Sequence, residues 1–126
     1  MDLKRLSLLR RKIHLLKGKR NQLERIALGR SPMVPASLLA RRFRPGAPVA
    51  YYLSASIGGE SRHRYVRRGE EDYYRQRSEA WQRFQKAMAS WVKVNKEMEK
   101  ALRQIGRLRC EPLPGGGGQG KNRWSR

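Results

Sequence analysis

The feature that most limits what this chain can fold into is a run of side chains toward its carboxy-terminal end. Tyr74, Arg77, Trp81, Phe84, Met88, Trp91, Asn95, Met98, Leu102 and Ile105 follow one another at alternating spacings of three and four. Residues so spaced share one narrow stripe of a helix, the a/d seam of a coiled coil. A helix over 70–108 is therefore expected, nearly 60 Å long at about 1.5 Å per residue. Glu70, Glu71 and Asp72 fall in its first turn, and Lys100, Arg103 and Arg107 lie near its end. Both sets complement the helix macrodipole. Asn95 takes a seam position, where a buried polar residue often fixes register or oligomeric state. The stripe is read as an oligomerisation seam, to be covered by a second copy or by a helical protein partner.

A second seam lies near the other end. Leu6, Leu9, Ile13, Leu16, Arg20, Leu23 and Ala27 repeat in the same way and predict a helix over 3–28. Asp2 is its expected N-cap, and Gly29 followed by Ser31-Pro32 its stop. Residues 30–48 hold Pro32, Pro35, Pro45, Pro48 and Gly46 and read as a connector, with a short helical turn at 36–42. From Val49 to Ile57 one face alternates as Val, Tyr, Leu, Ala and Ile, and Gly58-Gly59 suits a two-residue hairpin turn. A β-hairpin over 49–66 follows, with Tyr52 opposite Tyr65, Ser54 opposite His63 and Ser56 opposite Ser61. Tyr51 with Val66, Leu53 with Arg64 and Ala55 with Arg62 take the other face. Residues 111–126, with four consecutive glycines, read as a disordered basic tail. The expected fold is mainly α: two long amphipathic, coiled-coil-like helices flanking a β-hairpin, in one domain over 1–110.

Charge narrows the function. Thirty Lys and Arg stand against ten Asp and Glu, a net of +20, and Arg supplies 21 of the thirty. Such a chain attracts polyanions at long range, and the guanidinium fork matches phosphate. Residues 1–48 carry 13 basic and 2 acidic side chains, making this segment the positive pole. The candidate phosphate contacts are Arg10, Arg11, Lys12, Lys17 and Lys19 of the first helix, Arg41, Arg42 and Arg44 of the connector, and Arg62 and Arg64 of the hairpin, continuing into Arg67 and Arg68. Phe43 lies inside the connector cluster. Tyr52 and Tyr65 are expected as a cross-strand pair packed inside the fold; stacking of these two and His63 on unpaired bases is the lesser reading.

The order of helix, basic connector, Tyr51-Tyr52-Leu53-Ser54, Gly58-Gly59 and Arg64-Tyr65-Val66 running into a long helix resembles a family of short bacterial and archaeal proteins. Members are often encoded near transposases and other mobile elements. The likeness covers about residues 5–105. Many members carry a cluster of cysteines just before the first strand, suggestive of a metal site. This chain has Arg42-Phe43-Arg44-Pro45-Gly46 there, so no metal role is carried over. The resemblance implies no activity and favours a mobile-element or DNA-related setting.

No catalytic constellation stands in the sequence. His14 lies among basic residues, His63 sits mid-strand, and the acidic run at 70–72 is accounted for by the helix dipole. Cys110 is the only cysteine, which leaves no disulfide framework and fits a reducing cytoplasm. There is no phosphate-binding glycine loop, zinc spacing or dinucleotide motif, and no stretch approaches the ~18 apolar residues of a membrane span. The expectation is a non-enzymatic, cytoplasmic protein without cofactor or metal that binds DNA or RNA through the phosphate backbone, nucleoid-associated if the partner is DNA. A coiled-coil adaptor that homodimerises or binds a partner such as a transposase is the alternative. A ribosome-associated protein is a weaker one, and a membrane-surface amphipath weaker still.

Overall fold

A computed structural model describes residues 1–115 of the chain. Two antiparallel helices form a long pair, and a three-stranded antiparallel sheet packs at one end of it. Helix α1 spans Leu3–Ala27. Its start is fixed by Asp2, whose Oδ1 accepts from the Arg5 backbone N–H at 2.9 Å, satisfying one of the four donors that a helix start leaves unpaired. Helix α2 spans Glu71–Arg109. The expected tail begins in described residues, but 116–126 lie outside them.

The seam expected on α1 is the one it uses. Leu9 and Leu16 are buried and Leu6, Ile13, Arg20, Leu23 and Ala27 are half-buried, while every other α1 residue but Glu24 is exposed. On α2 four of the ten expected seam positions move by one residue. Ala80, Ala87, Val94 and Ala101 are buried, seven residues apart, with half-buried Phe84, Trp91, Met98 and Ile105 between them. Met88, Asn95 and Leu102 are exposed instead, and Tyr74, Arg77 and Trp81 are half-buried at the near end. The reason is steric. The leucines of α1 are large, so the facing line of α2 must be small for the axes to approach, and alanine fits where methionine and leucine do not.

The connector departs from expectation more fully. Residues 36–42 do not form a helical turn; Ser37–Arg41 is strand β1. It pairs antiparallel with β2, Ala50–Ile57, which pairs in turn with β3, Glu60–Val66. Leu38, Leu39 and Ala40 favour helix by local propensity, but the sheet overrides them, because two strands alone are marginal and a third supplies the missing ladder. The hairpin register is the expected one throughout, from Tyr51 opposite Val66 to Ser56 opposite Ser61. Gly58 and Gly59 have φ of +60° and +84°, the pair of left-handed conformations that a tight hairpin turn requires.

Two hydrogen bonds fasten the segment that leads into β1 to the helix. The Val34 N–H donates to the Arg77 carbonyl at 3.1 Å, and the Ser78 hydroxyl donates to the Ala36 carbonyl at 2.6 Å. Ser78 is only 2% exposed, so its hydroxyl needs such a partner. Arg75 stacks over the Tyr51 ring at 5.6 Å, and Leu53 and Val66 are buried on the same side of the sheet. The face carrying Tyr51, Leu53 and Val66 is thus the one that meets the first turns of α2. Among the described residues no helix is long and apolar enough to cross a membrane.

Candidate nucleic-acid interface

Strand direction decides which basic residues meet. β1 ends at Arg41, β2 begins beside it at Ala50, and β3 ends at Val66 opposite Tyr51. The connector that follows β1 and the turn that follows β3 therefore leave from one end of the sheet. Arg41, Arg42 and Arg44 are brought to the same end as Arg67 and Arg68, and all five are exposed. No carboxylate among the described residues pairs with any of them within 4.0 Å. Phe43 stands among them at 79% exposure. It lines an open cleft of about 320 Å³ together with Val49, Tyr51, Tyr65, Arg68 and Glu71. Glu71 is turned to its own chain, accepting from the Gly69 N–H at 2.8 Å.

The remaining candidates lie elsewhere. Arg62 is near the hairpin tip, 3.7 Å from Glu60. Arg64 is opposite Leu53, on the side of the sheet that α2 meets at its other margin, and it is exposed. On α1 the charges fan around the helix. At about 3.6 residues per turn, Arg11 points away from the seam, Arg10 and Lys17 take one flank and Lys12 and Lys19 the other. All five are exposed. They form a positive rod, not a groove, and they are not gathered with the sheet end. His14 is exposed as well, and Cys110 is an exposed free thiol.

The tyrosine pair is where expectation needs most correction. Tyr52 and Tyr65 do pair across strands, ring centroids 5.7 Å apart at an interplanar angle of 69°, the edge-on arrangement that aromatic rings favour. Tyr65 is not inside the fold, and Tyr52 is half-buried. They occupy the face opposite α2, where Tyr65 is 57% exposed. β1 completes that face: its register puts Leu39 beside Tyr52, and the Arg41 guanidinium lies 6.0 Å from the Tyr52 ring centroid. His63, one row along, is exposed, with Nε2 3.4 Å from the Ser61 hydroxyl. The sequence carried a signal for this third strand in the Ser37–Arg41 segment after Pro35, but five residues rich in leucine and alanine are too few for their period to be read.

Comparison with protein-family models, with curated proteins and with solved structures gives no match to this chain.

Proposed function

We propose that this chain is a small basic nucleic-acid-binding protein that grips the phosphate backbone without strong reading of base sequence. One observation carries the reading: Arg41, Arg42, Arg44, Arg67 and Arg68, from two separate stretches of the chain, converge exposed on one end of a sheet in a protein of net charge +20. Like charges gathered at one place repel, and a polyanion relieves that repulsion while releasing its own counterions. The α1 charges add a diffuse positive field that speeds encounter. The reading is of a binder and not of an enzyme, and it takes no small-molecule substrate, metal or cofactor. Its setting beside a mobile element rests on the resemblance alone.

Fluorescence anisotropy with short labelled DNA and RNA oligomers at several salt concentrations tests the proposal. If the five arginines each neutralise one phosphate of a duplex, the slope of log K against log salt is roughly −4.5. Arg42→Glu with Arg68→Glu flattens it by about two units or more. Absence of binding at low salt sinks the reading.

A helical interaction module is a second reading, favoured by what the α1–α2 pairing leaves uncovered. Met88, Val92 and Leu102 of α2 are 46%, 50% and 54% exposed, and Leu8 and Leu15 of α1 are also open. A homodimer across α2 would cover the first three. Sedimentation in high salt separates the two readings, since charge contacts are screened there and apolar ones persist.

A further inference from the structure

We propose that the open face of the sheet is a stacking platform for unpaired bases, so that the preferred ligand is a single strand and not a duplex. The inference rests on the polyanion reading above and assigns that site its ligand class. Three observations carry it. A large aromatic side chain is left open where the fold had a way to cover it: Tyr65 is 57% exposed, while α2 packs on the other face of the same sheet. The ring is not isolated, because the cross-strand rows place Leu39, Tyr52 and Tyr65 side by side over all three strands, with His63 in the next row. And the strands place no carboxylate on the face; Glu71, which lines the Phe43 cleft with Tyr65, accepts from the Gly69 N–H. Glu60 is the one acidic residue in the three strands, and alternation sends it to the opposite face, where it lies 3.7 Å from Arg62.

Physical chemistry then discriminates between ligands. A base presents its flat surface to an aromatic ring only when it is out of a duplex stack, so a double helix could meet the arginines but not the tyrosines. A single strand satisfies both at once. One of its bases lies on exposed Tyr65, beside half-buried Tyr52, and its phosphates run toward Arg41 and the arginines at the strand ends. Arg41 lies beside Tyr52, 6.0 Å from the ring centroid, where its guanidinium can meet the phosphate of a strand whose base lies on the face. Phe43, at 79% exposure in the same cluster, offers a further ring to a base at the edge of the sheet. An apolar peptide is a poorer occupant, because Ser37, Ser54, Ser56 and Ser61 lie on the same face and would be desolvated without partners.

The experiment uses the full-length protein with 12-nucleotide single strands of mixed sequence, as DNA and as RNA, against the matched duplexes. Binding is followed by anisotropy in low salt for the wild type, Tyr65→Ala and Tyr65→Phe. The expected result is tighter binding to single strands. Tyr65→Ala weakens that binding about five-fold or more, in line with the loss of one base stack, and Tyr65→Phe restores it. Duplex binding stays within about two-fold in all three proteins. Because Tyr65 is open, the alanine variant keeps the fold, and its thermal melt verifies this. Single-strand binding that ignores Tyr65→Ala overturns the platform and leaves the polyanion reading standing, as does equal weakening for strand and duplex. No binding of either ligand by the wild type removes both.

Discussion

The two helices bury opposite kinds of side chain. The buried residues of α1 are leucines, Leu9 and Leu16, whereas those of α2 are Ser78, Ala80, Ala87, Val94 and Ala101. The contrast teaches how a chain with a mean hydropathy of −0.85 can hold a long helix pair at all. Large residues from one partner drop onto a line of small ones from the other, so few apolar atoms suffice to exclude water. The large apolar residues of α2 are left half-buried along the margins of the seam, as Phe84, Trp91 and Met98 are, or outside it, as Met88 and Leu102 are.

The largest effect that could break this contrast is expected at Leu16. Leu16→Ala should cost about 2–4 kcal/mol of unfolding free energy, measured by urea denaturation, because Leu16 is buried and a seam of small α2 side chains cannot collapse into the space. A loss under half of that would mean the seam is loosely packed. Next comes the opposite change, Ala87→Leu, which crowds the contact from the small side. Overpacking of this kind is worth about 1–3 kcal/mol and should show as a lower thermal midpoint. Ser78→Ala removes the hydroxyl that anchors β1 through the Ala36 carbonyl. It should cost about 1 kcal/mol, and hydrogen exchange should quicken in β1 ahead of β3. The smallest effect belongs to Met88→Ala. At 46% exposure it should leave monomer stability within about 0.5 kcal/mol of wild type. A cost of several kcal/mol there would restore Met88 to a buried seam.

That last pair of outcomes marks how far the sequence could be read. The three-four rhythm located both helices, and on α1 every seam position stood, since the only large apolar residues competing with it were flank residues such as Leu8 and Leu15. On α2 two interleaved rhythms share Phe84, Trp91, Met98 and Ile105 and differ in whether Met88 or Ala87 fills the next position. Hydrophobic size favoured Met88; steric fit with a leucine-bearing partner, which no single segment reveals, favoured Ala87. The hairpin was legible to the residue because Gly58-Gly59 fixes its register. β1 was not, because its strand state comes from pairing with β2 and from the Val34 and Ser78 tethers, not from Leu38, Leu39 and Ala40 themselves. The candidate site inherited that gap. Its arginines were visible one by one, but their gathering at one sheet end and the openness of Tyr65 both depend on where β1 lies and which face α2 takes.

The order of the strands leaves β3 with one side unpaired. An unpaired strand can template addition of another chain, and folded proteins guard such margins with charge. Here Glu60, Arg62 and Arg64 alternate along it with Ser61, His63 and Tyr65. Glu60 offsets Arg62 at 3.7 Å, so a second copy is repelled from this margin by Arg64 and by the net charge of +20, as long as that charge stays uncompensated. Colloidal stability and ligand capture therefore draw on the same net charge of +20, through different arginines. A polyanion that saturates the protein also lowers the barrier that keeps its copies from joining edge to edge.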